Sequence, residues 1–176
     1  VLATTTASVG NVLADTQVRS LALATRNVLD FASITAGVVG NNFGGTRMSQ
    51  VNTTRDGLPT GDGRYLDWNG AYSATFTSPD LVEEVQVSVN TVDAAVGRGV
   101  GQVRMQTRSG TNNVHGALFY TNNNWALNTQ GWFQNLVGAE KSYRNRNQFG
   151  GRLGGPIIPN KASFFFLYDG QRFPRK

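Results

Sequence analysis

The sequence predicts a β-rich protein in which a small α+β unit is followed by long antiparallel strands. Three observations support this prediction. The chain of 176 residues holds 21 Gly together with ten Phe and three Trp, a composition typical of strands joined by turns. Valines alternate with polar residues from 82 to 89. After Asn112 the alternation extends over longer runs with Asn-rich connections.

Composition excludes several classes of protein. A hydrophobic share of 39% and a charged share of 15% argue against a helical bundle or a coiled coil. The absence of Cys excludes disulfide scaffolds, thiolate zinc sites and Cys nucleophiles. The net charge of +5 is modest, and the Arg residues are dispersed from Arg19 to Arg175. We therefore expect no nucleic-acid partner. No apolar run approaches the roughly 20 residues of a transmembrane helix.

Short elements are predicted in the first third of the chain. Residues 8–12 read as a strand, and Asp15 is expected to cap a helical turn that continues to Leu21. A second helix is predicted from Arg26 or Asn27 to about Ser33, because its apolar residues lie near helical spacing. Gly37 then follows as a stop signal.

The middle of the chain completes this first unit. Residues 48–51 and 51–55 read as strand fragments, and Asp56-Gly57 and Asp62-Gly63 read as turns. The clearest strand covers 82–89, and a second alternating strand covers 101–107. A Gly-rich turn at 94–99 connects them. These elements predict a mixed α+β unit over roughly residues 8–108.

Three longer strands are predicted beyond this unit. They cover residues 114–121, residues 144–153 with an end at Gly154-Gly155-Pro156, and residues 163–172. A polar loop dotted with aromatic residues joins the first two, and Pro159-Asn160-Lys161 forms the second turn.

The faces of these strands allow two architectures. Leu118 and Tyr120 share one face of their strand, and Gln148 and Arg152 lie opposite Phe149 in the next. Strands of about ten residues with one apolar and one polar face are typical of a transmembrane β-barrel. Hydrocarbon cannot satisfy backbone hydrogen bonds, so such strands must pair and close. A β-sandwich produces the same alternation, and the residues alone favour neither.

Several motifs in order resemble one family. The segment Val96–Gly116 closely resembles the end of the plug and the first barrel strand of TonB-dependent outer-membrane receptors, especially their Oar-like branch. Further motifs of the same branch follow at Gln148-Phe149-Gly150-Gly151, Gly154-Gly155-Pro156-Ile157, Phe164-Phe165-Phe166 and Gly170-Gln171-Arg172. Upstream, residues 20–27 and 34–38 are similar to the plug-opening helices, Asp56-Gly57 to the plug-strand turn, and residues 81–87 to the central plug strand. Ala22, Thr25 and Ala36 depart from the Pro, Gly and Pro that are usual there.

The resemblance implies a fold and a function. Residues 1–110 would form an α+β plug domain, a small mixed sheet with short helices, and residues 111–176 the first antiparallel strands of an incomplete transmembrane β-barrel. The chain would then be a fragment of a transporter of the bacterial outer membrane, in which the plug gates energised passage of a ligand. The implied partners are the TonB energy-transducing complex, through a segment upstream of Val1, the lipid of the outer membrane, and an unknown ligand. No catalysis and no cofactor are expected.

Candidate plug residues follow from the same resemblance and from charge. We expect an ion pair between plug and barrel in which Glu83 or Glu84 meets Arg98 or Arg108. Adjacent glutamates on a strand point to opposite faces, so they are not a catalytic pair. The predicted plug turn and plug–barrel contacts are Glu83, Glu84, Gly97, Arg98, Gly101 and Arg108.

An aromatic loop provides the second candidate site. Asn123, Trp125, Trp132 and Phe133 combine aromatic faces with amide donors, which suit a ligand such as a sugar. An aromatic belt at the membrane interface explains the same residues and is favoured over the ligand loop. The alternative function for the whole chain is a secreted β-rich domain that binds glycan or protein.

Two other patterns fail as chemical sites. The spacing of Asp56, Asp62 and Asp67 does not match a calcium loop, and Asp-Gly is a common turn signal. The Gly97–Gly101 run lacks the following helix that a phosphate loop needs, because a strand is predicted there. We therefore expect no metal.

Overall fold

The computed structural model describes residues 9–21, 25–40, 42–47, 50–61, 71–90 and 99–175. The chain divides into two compact units, Val1–Arg108 and Ser109–Lys176. Each unit has its own sheet or sheets, with few helical residues. Within the described ranges, no helix is both long and apolar enough to cross a membrane.

In the described residues, the first unit is built from short strands and two short helical segments. In chain order they are β1 (Val9–Leu13), α1 (Asp15–Ser20), a 3₁₀ helix (Val28–Ile34), β2 (Val38–Val39), β3 (Asn42–Phe43), β4 (Val51–Arg55), β5 (Leu58–Pro59), β6 (Val82–Val89) and β7 (Gly101–Thr107). The predicted strands at 51–55, 82–89 and 101–107 are present with these bounds. The first predicted strand lies one residue later than expected.

Five of these strands form one mixed sheet in the order β1-β6-β7-β4-β5. β4 and β7 run parallel, and the other neighbours are antiparallel. β1 is an edge strand that pairs with β6 from Val9 opposite Val89 to Leu13 opposite Val85. β2 and β3, each two residues long, pair antiparallel as a separate hairpin.

The core of the unit lies on one face of β6 and β7. Val85, Val87 and Val89 of β6 are buried because alternation places them on the same side. Val82, on the other side of a register irregularity in β6, is buried in the same cluster, and Val103 and Met105 of β7 join it. Phe31 of the 3₁₀ helix and Phe43 of β3 are both fully buried in this cluster. The predicted alternation therefore marks the core face correctly.

The caps of the helical segments differ from one of our predictions. Asp15 was expected to cap α1, but Ala14 is the N-cap residue and its backbone N–H donates to the Gln17 side chain at 3.3 Å. Asp15 is instead the first helical residue. The helix predicted from Arg26 or Asn27 is a 3₁₀ helix that starts one residue later, at Val28. Asn27 is its N-cap, and its side chain accepts a hydrogen bond from the Leu29 backbone N–H at 3.2 Å.

The second unit contains three long strands and one short helix. They are β8 (His115–Asn124), α2 (Trp132–Leu136), β9 (Asn145–Ile158) and β10 (Ala162–Arg172), with the strands paired antiparallel in the order β10-β9-β8. The turn at Pro159–Lys161 is confirmed, with Asn160 at a positive φ of 60°. This sheet is not closed, and no barrel closure is present in the described residues.

Two boundaries of the second unit were wrong. β9 was expected to end at Gly154-Gly155-Pro156, but it continues through Pro156 to Ile158. Pro156 is accommodated opposite Ser163, beside a register shift between Ala162 and Ser163. β8 also extends further than expected, and α2 lies in a segment that was predicted to be loop throughout. The expected features at 48–49, 62–63 and 94–98 lie outside the described residues.

Candidate functional site

The sheet of β8, β9 and β10 has one face covered by exposed apolar side chains. Residues opposite each other in an antiparallel register point to the same side of the sheet, and the register aligns Leu118 with Gly151 and Gly151 with Tyr168. The next row aligns Tyr120, Phe149 and Gly170. We call this the apolar face. Its exposed large apolar members include Leu118, Tyr120, Phe149, Leu153, Phe166 and Tyr168.

This apolar face is smooth because glycines make room for large neighbours. A Cβ on Gly151 would lie 2.6 Å from Cδ2 of Leu118. A Cβ on Gly170 would lie 3.1 Å from Cζ of Phe149. The Phe149 and Tyr168 rings meet at 6.3 Å across the strands. Leu118 remains 91% exposed and Phe166 61% exposed, so these contacts leave the outer surface of the face uncovered.

The opposite face holds the buried polar side chains of this unit, and we call it the polar face. Gln148 is 0% exposed and Arg152 is 9% exposed. The Gln148 side-chain amide donates to both carboxylate oxygens of Asp169, at 3.1 and 2.9 Å. Phe119 and Leu167 also lie on this side, half-buried. A water-soluble sandwich has the reverse pattern, with apolar groups buried and polar groups exposed.

A short segment before β8 is fixed against the β9–β10 turn. The Asn160 backbone N–H donates to the Asn112 side-chain oxygen at 2.9 Å. A Cβ on Gly110 would lie only 2.2 Å from the backbone oxygen of Phe164. The Ser109-Gly110-Thr111-Asn112 run, which carried part of the resemblance, thus has a local structural reason. Gly allows close backbone approach and Asn satisfies a turn N–H.

The connection from β8 to β9 contains a pocket of about 330 Å³. Trp125 is its aromatic wall. The Lys141 Nζ lies 5.7 Å from the centre of the Trp125 ring, and the Tyr143 ring is tilted against the same indole at 5.8 Å. The pocket is lined by Trp125, Asn128, Thr129, Gln130, Gln134, Lys141, Ser142 and Arg144.

The four predicted loop residues separate into two groups. Asn123 is tied to this pocket, because the Asn128 side-chain amide donates to its oxygen at 2.7 Å, and Trp125 lines it. Trp132 and Phe133 belong to α2, where their rings meet edge-on at 4.9 Å. Both are exposed and neither lines the pocket. Lys141 and Arg144 were not predicted as site residues, although the sequence places these two cations in the same connection as Trp125.

Arg108 contacts aspartate residues of the first unit, whereas an ion pair with Glu83 or Glu84 was predicted. Its guanidinium forms a salt bridge with Asp15, at the start of α1. Its Nε also donates to the backbone oxygen of Asp80 at 3.1 Å. The Asp80 carboxylate in turn pairs with Arg26 at 2.7 Å. These contacts fasten the end of β7 to α1 and to the segment before β6.

Glu83 and Glu84 are not partners of Arg108 among the described contacts. Both are exposed, although adjacent strand residues were expected to point to opposite faces. The reason is a register irregularity between Val82 and Glu84 in the pairing of β6 with β7. Gly97 and Arg98 lie outside the described residues, so their predicted roles stay predictions.

Gly101 occupies a site where a side chain does not fit. A Cβ there would lie 2.7 Å from Cβ and Cγ of the buried Phe43. Gly99, which was not singled out, has a φ of 92° and would place a Cβ 2.2 Å from the Gln50 backbone oxygen. The strand β7 begins directly after, so the helix that a phosphate loop requires does not follow.

The remaining candidate, Asp56, has a structural role in a turn. Its two carboxylate oxygens accept from the backbone N–H and the hydroxyl of Thr107, each at 2.8 Å. Asp62 and Asp67 fall outside the described residues. In the ranges that the structure covers, no group of three metal-ligating residues is close enough to hold an ion.

Comparisons with known proteins relate the second unit to an outer-membrane domain. A family model described as an outer membrane beta barrel domain matches residues 106–176. A curated relative, the TonB-dependent transporter Oar of Myxococcus xanthus, is 29% identical over 154 residues, which is 81% of this chain and 14% of the relative. This chain therefore spans only a small part of the relative's length.

A solved structure shares the fold. The crystal structure of the siderophore receptor PirA from Acinetobacter baumannii matches with a TM-score of 0.65 and 19% identity. The match covers 93% of this chain and 24% of that one. At this identity the match speaks for the fold alone. The two named relatives are a transporter and a receptor, and neither is named as an enzyme.

Proposed function

We propose that the two units of this chain are part of the barrel wall and the plug of one transport path. The premise is that this chain is a segment of a TonB-dependent receptor of the bacterial outer membrane. That premise rests on the motifs in order, on the barrel-domain match to residues 106–176 and on the transporter relative. In this proposal β8, β9 and β10 are part of the transmembrane wall. The unit from Val9 to Arg108 is the plug that closes the path.

The observation that supports the wall is the reversed polarity of the β8–β10 sheet. Leu118 and Phe166 are exposed on one face, while Gln148 is buried on the other. In water this arrangement exposes apolar area that costs about 25 cal/mol per Å². In a bilayer the same area is covered by acyl chains, and the polar face meets a wet interior. Lipid is therefore the surrounding that stabilises this sheet.

The gating role is supported by the position of β1 in its sheet. β1 is an edge strand, so it can leave without breaking any other strand pair. Asp15 of α1, directly after β1, is held by Arg108. A pull on the chain before β1 would strain this salt bridge and the β1–β6 pairing first. Local opening of low-stability elements is the means by which such a plug would yield.

Energised passage completes the proposal. The TonB complex would supply the pull, and a ligand that this sequence does not identify would pass unchanged through the opened path. Glu83, Glu84, Gly97, Arg98, Gly101 and Arg108 remain proposed as plug-turn and plug–barrel residues. The secreted glycan- or protein-binding alternative is not favoured, because the curated relative is a transporter.

The test uses the full-length receptor in outer-membrane vesicles. This chain has no Cys. In a receptor whose cysteines elsewhere are replaced, single cysteines are introduced at Leu118 or Phe166 on the apolar face and at Thr121 or Gln171 on the polar face. Each is labelled with an environment-sensitive fluorophore. We expect a nitroxide quencher in the acyl chains to quench the first two labels strongly and the other two weakly. Equal quenching on both faces, or the opposite pattern, would refute the wall.

A further inference from the structure

The pocket between β8 and β9 has no assigned ligand, and its chemistry is specific. Its volume of about 330 Å³ falls at the lower end of the roughly 300–1,000 Å³ of small-molecule sites. It therefore has room for one or two sugar rings rather than for a large ligand. The residues that line it come from a single connection between neighbouring strands, so the pocket lies entirely within the second unit.

The charge of the pocket is positive. Lys141 and Arg144 line it, and no acidic residue does. Glu140 is the one acidic residue between Asn122 and Arg146 in the sequence. Over the part of the chain that the structure describes, no carboxylate forms a salt bridge with Lys141 or Arg144. The Lys141 Nζ makes one long hydrogen bond, at 3.4 Å, to the Ala126 backbone oxygen.

The other walls suit a ring with hydroxyl groups. The half-buried Trp125 presents an indole whose orientation is fixed by Lys141 and Tyr143. Asn128, Gln130 and Gln134 bring amide groups, which can both donate and accept hydrogen bonds. Such a combination of one aromatic wall, several amides and two cations matches a polar ring that carries an anionic group.

We propose that this pocket binds a monosaccharide or disaccharide that carries a carboxylate. Trp125 stacks against the ring, the amides bind its hydroxyl groups, and Arg144 with Lys141 binds the carboxylate. Charge-assisted hydrogen bonds are roughly twice as strong as neutral ones, so the carboxylate separates such a ligand from a neutral sugar. This proposal rests on the proposed transport function, of which it names the ligand class.

The experiment measures binding to the purified full-length receptor in detergent. Digalacturonate is the anionic probe and cellobiose is the neutral probe, each titrated by isothermal calorimetry. We expect digalacturonate to bind at least about tenfold more tightly, with an affinity that falls as salt rises. Lys141→Gln with Arg144→Gln is expected to weaken digalacturonate at least about tenfold, and Trp125→Ala to weaken both probes.

Two control variants test whether the loss of binding is specific to the charge of the pocket. Lys161→Gln removes a cation from the β9–β10 turn, outside the pocket, and is expected to leave the affinity unchanged. Arg144→Lys retains the charge and is expected to bind within about threefold of the parent. Undetectable digalacturonate binding, equal binding of both probes, or equal loss in Lys161→Gln would overturn the proposal. Those outcomes leave the quenching result on Leu118 and Thr121 unaffected, so failure of this site and failure of the transport wall are distinguishable.

Discussion

Gly101 and Phe43 are in direct contact, and no side chain fits between them. A Cβ on Gly101 would lie 2.7 Å from Cβ and Cγ of Phe43, whose ring is fully buried. Gly101→Val therefore forces apart β7 and the β2–β3 hairpin. Overpacking of this kind costs about 1–3 kcal/mol. We expect the first unit of the full-length receptor to unfold at lower urea concentration and to be cleaved faster by a protease.

A matched variant isolates the steric cause. Gly61→Ala adds a Cβ that would meet one backbone oxygen, that of Tyr72, at an ordinary 3.9 Å. Its urea midpoint and cleavage rate should equal those of the parent receptor. If Gly101→Val behaved in the same way, the close contact with Phe43 would not limit the stability of the unit.

Charge on the apolar face is predicted to be far more harmful than charge on the polar face. Leu118→Arg places a cation where the proposal puts lipid, which costs about 2–4 kcal/mol near the middle of the membrane. Thr121→Arg, on the same strand but the other face, should be tolerated. The measurement is the fraction of receptor that assembles in the membrane, read from heat-modifiable migration on gels. Equal assembly of both variants would argue against lipid contact.

The Asp15–Arg108 salt bridge is predicted to hold the N-terminal elements on the sheet. Both side chains are largely buried, at 29% and 10% exposure, so removing one partner removes a charged contact of the other and costs about 1–3 kcal/mol. Asp15→Asn and Arg108→Gln should each increase hydrogen exchange in β1 and α1. The double variant should cost less than the sum of the two, which a double-mutant cycle measures.

The exposed Arg104 of β7, four positions before Arg108, provides the comparison for that cycle. Arg104→Gln removes a cation from β7 without touching Asp15, and should leave exchange in β1 and α1 unchanged. Full additivity of Asp15→Asn and Arg108→Gln would show that the two side chains are not energetically coupled.

Gln148 is predicted to tolerate loss of polarity better than a gain of charge. Its amide donates to both oxygens of Asp169, so Gln148→Glu would bring two carboxylates together at a fully buried position. Two like charges held close together destabilise the folded state. We expect Gln148→Glu to lower the fraction of receptor that assembles in the membrane, read from heat-modifiable migration on gels, more than Gln148→Met does. Equal assembly of the two variants would contradict this reasoning.

Local alternation was enough to predict most of the strands. Val85, Val87 and Val89 of β6 alternate with polar residues, and β10 contains a continuous apolar run, Phe164–Tyr168. The bounds of both strands agree with the sequence to within a residue. The end of β9 was mispredicted because Gly154-Gly155-Pro156 is a breaker signal that a paired partner overrides. The short α2 was missed because a single helical turn has too few residues to show a period.

Contacts between side chains that are far apart in the sequence could not be predicted from local sequence patterns. Asp15 and Arg108 are 93 positions apart, and only the fold brings them together. The exposure of both Glu83 and Glu84 could not be predicted from alternation, because it follows from the register irregularity between Val82 and Glu84. For Gly101 the sequence indicated close packing but could not identify Phe43 as the neighbour.

The strand order β1-β6-β7-β4-β5 has a consequence for biogenesis. Within the described sheet, β7 is the last strand along the chain, yet it lies between the β1–β6 pair and the β4–β5 pair. The β1–β6 pair and the β4–β5 pair are not joined by hydrogen bonds until β7, which ends at Thr107, has been added between them. A polypeptide exported from its amino end would thus cross the inner membrane with this sheet still unassembled, and would complete it only on the far side.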